Sequence, residues 1–148
     1  MANIKGSKTV EIDAPLQEVF DVAADIAGAP RWQEAMDSAE VLETDAEGRP
    51  SLVETTADAG VQKVKVTLRF TYEEPTAIRW ERTKGDLKTM HGSWTLEEVG
   101  PERTRATYEM DGDPGRMLGM LIRGPVEQRL RVKLIDEAAE GLKKDIEG

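Results

Sequence analysis

Near its end the chain reads PVEQRLRVKLIDEAAEGLKKDI, Pro125 to Ile146. Val126, Leu130, Leu134, Ala138, Leu142 and Ile146 recur at every fourth position, continuing a series begun by Leu118 and Ile122, with Leu121, Ile135 and Ala139 beside it. That spacing lays one apolar stripe along a helix. At about 1.5 Å rise per residue, Pro125 to Ile146 spans about 33 Å, enough to cross a small domain. A helix with one broad apolar face needs a broad apolar partner, and the chain upstream supplies it as strands. Pro125 lacks a backbone donor, so it starts a new helix or kinks a longer one. The segment then has two parts: Leu130 to Ile146 reads as core, and Met117 to Val126, with Met117, Met120, Gly119 and Gly124, reads as a movable lid. Gly112 to Gly124 is expected to be more mobile than Leu130 to Leu142.

Upstream, Lys8 to Asp13 alternates as a half-buried strand. Leu16, Val19, Phe20, Ala23 and Ile26 give the following helix an apolar face, Gly28 ends it, and Pro30 opens a second short helix carrying Trp32. Strands follow at Met36–Glu43, Leu52–Ala57, Gln62–Glu73, Ala77–Thr83, Leu87–Glu97 and Arg103–Asp111, separated by turns at Asp45–Pro50, Asp58–Gly60, Pro75, Gly85–Asp86 and Gly100–Pro101. Asp111 to Gly115 reads as a loop. One strand, two short helices, six strands and a long helix describe a single α+β domain over residues 1–148: a curved seven-stranded antiparallel sheet wrapped around the C-terminal helix. A strongly twisted sheet of that size curls, and closing it with one helix predicts a pocket between them.

With 148 residues the chain has room for one well-buried core. A net charge of −9 argues against nucleic acid or anionic membrane as the main partner. No run of about 18 apolar residues is present to span a bilayer. The opening MANIKGSKTV has no apolar stretch behind its lysines, which excludes a signal peptide and leaves the cytoplasm as the default location. With no cysteine and one histidine, thiol chemistry and a histidine-rich metal site are excluded, and no cofactor is expected. Neither GxxxxGK nor GxGxxG occurs, and Asp111 with Asp113 lacks the spacing of a calcium loop.

Four stretches carry a resemblance to a known family: VEIDAPLQEVFDVAADIAGAPRWQ (Val10–Gln33), SAEVLETDAEGRP (Ser38–Pro50), HGSWTLEEVGPERTRATYEM (His91–Met110) and the closing amphipathic helix. Together they make the chain resemble the START-like superfamily, in its bacterial polyketide cyclase/dehydrase and lipid-transport branch, over nearly its whole length. The resemblance implies a helix-grip fold, in which a seven-stranded sheet wraps the C-terminal helix around a hydrophobic cavity. It also implies kinship with coenzyme Q-binding proteins, plant ligand carriers and aromatase/cyclases. Such motifs identify a fold rather than a substrate.

Strand parity selects the candidate site. On Gln62–Glu73, Val64, Val66, Leu68, Phe70 and Tyr72 face one way, and the same parity places Trp80, Met90, Trp94, Tyr108 and Met110 inside. Met36 joins them by parity, and Trp32, Met117, Met120 and Leu121 from the flanking segments, the methionines as flexible fillers that accommodate varied ligands. Arg82 falls on the same parity and offers a cation for a carboxylate or enolate, although it flanks the Gly85–Asp86 turn. Gln62 and Lys88 share that parity. His91 faces the other way and reads as a solvent-facing strand residue. No catalytic set stands out. The leading expectation is a binding or transport protein for a hydrophobic small molecule such as a lipid, polyketide, isoprenoid or quinone. A second is a cyclase, aromatase or dehydratase using Arg82, Tyr72, Tyr108 or His91. A third, a protein-interaction module, requires an exposed apolar patch and little cavity.

Overall fold

Strict alternation, short turns and a terminal helix produce the architecture in a computed structural model that describes residues 3–60 and 62–148. Met1 and Ala2, where the stretch read as lacking a signal peptide begins, and Val61 lie outside the described residues. The strands are β1 (Ile4–Ile12), β2 (Met36–Thr44), β3 (Pro50–Asp58), β4 (Lys63–Glu73), β5 (Ala77–Gly85), β6 (Thr89–Gly100) and β7 (Arg103–Asp113). They form one seven-stranded sheet in the order β1-β7-β6-β5-β4-β3-β2, and every neighbouring pair is antiparallel. Strands β1 and β2 are therefore at opposite edges. Helix α1 (Leu16–Ala24) and a 3-10 turn (Ile26–Arg31) carry the chain from one edge to the other.

The alternation read in β4 holds at all but one position: Val64, Val66, Leu68 and Phe70 are buried and Lys63, Lys65, Arg69 and Thr71 are exposed, but Thr67, of outward parity and next to the register shift, is buried as well. Register shifts interrupt the β2–β3 pairing, the β4–β5 pairing at Thr67–Leu68 and the β6–β7 pairing at Glu98–Gly100. Such bulges add twist and bend a strand, and here they help curl the sheet. The inner face packs on Val19 and Phe20 of α1 and on Ile135 and Leu142 of the C-terminal segment, all fully buried.

Three sequence expectations change. Gly28 does not end α1 and Pro30 does not open a second α-helix: α1 stops at Ala24, and both residues fall inside the one 3-10 turn. Ala29 precedes proline, which disfavours the α conformation there, and the segment instead makes the tighter Gly28 N–H to Asp25 and Trp32 N–H to Ala29 bonds. The expected loop at Asp111–Gly115 begins two residues later, because β7 runs to Asp113. It lies between β1 and β6, with Gly112 paired to Ile4 and Asp113 to Thr89, and partners on both sides override the turn chemistry of Asp-Gly. The terminal helix is segmented into α2 (Gly115–Leu121), α3 (Pro125–Arg131), a π-turn (Val132–Asp136) and α4 (Glu137–Glu147). Pro125 opens α3, as its missing donor predicts. The π-turn explains the four-residue stripe. Four residues overshoot an α-helical turn by about 40°, so a strict stripe would drift around a regular helix. One wider turn absorbs the excess and keeps Leu130, Ile135, Ala138, Ala139 and Leu142 buried together.

Among the described residues no helix is long and apolar enough to cross a membrane.

Candidate ligand cavity

The curl of the sheet leaves a cavity of about 110 Å³ between its inner face and the C-terminal helices. A row of aromatic rings lies along its sheet side. Phe70 of β4 meets Trp80 of β5 at 5.7 Å between ring centroids, and Trp80 meets Tyr108 of β7 at 5.5 Å. Tyr108 in turn packs edge-on against Trp94 of β6 at 4.8 Å, and Trp94 edge-on against Trp32 at 6.1 Å. Such tilted and edge-on pairs contribute beyond their buried area and hold one another in place. Gly92 makes room for the row: a Cβ there would lie 2.6 Å from Trp80 Nε1. At the far end, a Cβ on Gly141 of α4 would lie 2.1 Å from the Trp32 carbonyl oxygen, so the helix backbone presses directly on the end of the 3-10 turn.

The opposite side is built differently. Leu118 and Ile122, from α2 and the residue after it, line the cavity, but Met117, Met120 and Leu121 on the other side of the same short helix are 84%, 58% and 54% exposed. Gly115 and Gly124 bracket this segment at φ +80° and +57°, conformations that glycine adopts without strain.

Among the described residues, no acidic, basic or histidine side chain lines the cavity. Its polar side chains are Trp32, Gln33, Thr55, Trp80, Trp94 and Tyr108. Thr55 already donates to the Val66 carbonyl at 3.0 Å. Burial pushes the Tyr108 hydroxyl up to about 12, with the Gln33 side chain acting in the other direction. At neutral pH Tyr108 is therefore a neutral phenol that can donate a hydrogen bond, not a phenolate base.

A family model described as "Polyketide cyclase / dehydrase and lipid transport" matches residues 3–147. The chain belongs to that family. Solved structures repeat its architecture: a START superfamily protein from Mycobacterium smegmatis has 20% identity over 97% of each chain, with a TM-score of 0.83. A protein from Thermus thermophilus has 21% identity over 96% of each chain at a TM-score of 0.83. The Zhui aromatase/cyclase from a Streptomyces species has 17% identity over 97% of this chain and 93% of its own, at a TM-score of 0.76. At these identities the likeness carries the helix-grip fold and leaves the ligand unassigned. A comparison with curated proteins finds no match.

Within this polyketide cyclase/dehydrase and lipid-transport domain, the structure brings Trp32, Met36, Trp80, Met90, Trp94, Tyr108 and Met110 together around the cavity. It does not bring Tyr72, Arg82, Met117 or Leu121 there. The Tyr72 hydroxyl donates to the Pro50 carbonyl at 2.6 Å, with the Arg49 guanidinium 5.7 Å from its ring, and burial raises its pKa. Arg82 lies just before the β5 bulge and donates to the carbonyls of its own turn, at Gly85 (2.8 Å) and Asp86 (3.3 Å). Gln62 and Lys88 are exposed. His91 is exposed on the outer face, paired in register with Glu81 and Asp111. Among the described residues no group of three or more His, Cys, Asp or Glu side chains is placed to hold a metal ion. Sequence reasoning missed Gln33 and Gly92. A glycine on the inner parity between Met90 and Trp94 signals the close approach of a large neighbour, and Gly92 carried that signal.

Proposed function

We propose that the domain binds an uncharged, largely apolar small molecule in this cavity and that α2 moves to admit it. The observation that carries the reading is a cavity walled by apolar and aromatic side chains, with no charged group among the described residues, beneath a short helix that is apolar on both sides. Sites for small molecules usually measure about 300–1,000 Å³, so about 110 Å³ is too small for a lipid, polyketide or long isoprenoid as the cavity stands. Something must open. The segment between Gly115 and Gly124 is the part of the wall with the least to lose, since it has apolar side chains in water already.

Carriage of a ligand is favoured over its conversion. An aromatase/cyclase role draws on the family description and on the fold shared with Zhui. Acid–base catalysis near neutral pH works best with a group that titrates near that pH, and the lining offers only a phenol titrating at about 12. Titration with the neutral fluorophore N-phenyl-1-naphthylamine, followed by displacement with lipids, isoprenoid alcohols and quinones, tests the reading. One-to-one binding with competition is expected. The absence of saturable binding by every neutral apolar compound would remove it.

A further inference from the structure

Large apolar side chains grouped in water mark a surface that something else covers. Met117, Met120 and Leu121 form such a group: their spacing puts them on one face of α2, and all three are exposed. The other large apolar side chains exposed among the described residues, Leu42, Val99 and Val132, stand singly in the sequence. Cations surround the group. Arg116 precedes it, Arg123 follows it and Arg129 comes from α3, all exposed. Among the described residues only Arg131 of this segment is in an ion pair, with Glu127, and the side chain of Asp113 accepts from the Gly115 N–H at 2.9 Å. Four arginines and one glutamate give Gly115–Arg131 a charge of +3 within a chain of −9, so the remaining residues sum to −12.

That combination selects the partner. A second copy of the chain packed across a two-fold axis would set arginine against arginine. A stable protein interface takes about 20–30 residues a side, and this face offers three apolar side chains. A lipid surface needs no complementary outline. It takes apolar side chains at the boundary of headgroups and acyl chains while anionic headgroups attract the cations beside them. The chain's net negative charge does not prevent this approach, because charges more than about 10 Å away are largely screened near about 0.1 M salt. It orients the molecule instead, turning the acidic remainder away from an anionic surface and this one basic segment toward it.

We infer that the outer face of α2 docks on an anionic lipid surface, with Met117, Met120 and Leu121 entering the headgroup layer and Arg116, Arg123 and Arg129 against the lipid phosphates. Vesicle binding needs no ligand in the cavity, so its outcome is separate from that of the ligand-binding reading.

The probes are vesicles of phosphatidylcholine alone and vesicles in which phosphatidylglycerol makes up about a quarter of the lipid, with binding measured by sedimentation at about 0.05 M salt. The chain has no cysteine, so Met117→Cys gives a single attachment site for a nitrobenzoxadiazole fluorophore. Val99→Cys, near the other end of β6 from the Thr89–Asp113 pair that precedes α2, gives the control. Anionic vesicles should brighten the label at position 117 and shift its emission to the blue, and should leave the label at position 99 unchanged. Partition should fall about fivefold for each of Arg116→Gln and Arg123→Gln, the worth of one cation near an anionic surface, and about tenfold for Met117→Ser. All three side chains are exposed, so these variants keep the fold. No binding to anionic vesicles, or an equal response at both labels, overturns the docking face. Equal partition onto neutral vesicles overturns the anionic requirement. If soluble poly-glutamate displaces the vesicles and Met117→Ser binds them undiminished, the face is an electrostatic site for an acidic protein, and membrane docking is overturned.

Discussion

Helix α4 and helix α2 both come from the apolar stripe at the end of the chain, yet one is packed into the core and the other roofs the cavity. On α4, Ala139 and Leu142 are fully buried, and Gly141 brings the helix backbone against the Trp32 carbonyl. On α2, the cavity-facing Leu118 is balanced by Met117, Met120 and Leu121 in solvent, and both flanks turn through glycines at positive φ. The difference lies in what would be lost by moving. Displacing α4 exposes a packed core and breaks a backbone contact. Displacing α2 exchanges one apolar surface for another, so a single stripe of sequence yields a fixed side and a yielding side. On the proposed reading, a ligand enters on the yielding one.

The contrast breaks most readily by truncation. Leu142→Ala should destabilise the fold by about 3 kcal/mol, through lost burial and an unfilled cavity, whereas Met117→Ala should change stability by less than about 0.5 kcal/mol. Urea denaturation of both variants measures this, and similar losses would mean that α2 is as firmly packed as α4. Next in size is Gly141→Ala. Its new methyl meets a backbone carbonyl, which no rotamer change relieves, and a cost of about 2 kcal/mol is expected, seen as a lower melting temperature.

Amide hydrogen exchange sharpens the contrast without substitution. Protection over Gly115–Leu121 should be lower than over Ala138–Leu142 by at least about 2 kcal/mol in opening free energy. A saturating apolar ligand should raise protection over α2 far more than over α4. Equal protection in the free protein would leave the cavity with no identified entrance.

Much of this arrangement was legible from the residues. Period-two alternation in β4 and the four-residue stripe gave the curled sheet and its terminal helix, and Pro125 gave the break before α3. Parity also placed Trp80, Met90, Trp94, Tyr108 and Met110 on the inner face, where they line the cavity. Parity says which side of a sheet a residue takes, but not how far along a twisted strand the cavity extends. That is why Tyr72 and Arg82 were grouped with the rest: both have inner parity, one beside Pro50 and the other beside the bulge at a hairpin end. The contact of Gly141 with the Trp32 carbonyl joins two segments more than a hundred residues apart in the sequence, and no local pattern encodes such a meeting.

The smallest expected effect tests whether the sheet side of the cavity is sealed from water. Burial pushes the Tyr108 hydroxyl up to about 12, whereas an unfolded tyrosine titrates near about 10. Between those values the folded protein keeps a proton that the unfolded chain releases, so this group's contribution is complete below about pH 10 and is lost as the pH rises toward 12. The limiting slope for one proton is about 1.4 kcal/mol per pH unit. Tyr72, also raised by burial, acts in the same direction. Tyr108→Phe removes one of the two contributions, so unfolding free energies measured from about pH 8 to about pH 11 should fall less steeply in the variant, by up to about 1 kcal/mol at the alkaline end. If the variant and the wild type lose stability in parallel, the Tyr108 hydroxyl is hydrated in the folded state, and water already enters the cavity beside Trp94 without α2 having to open.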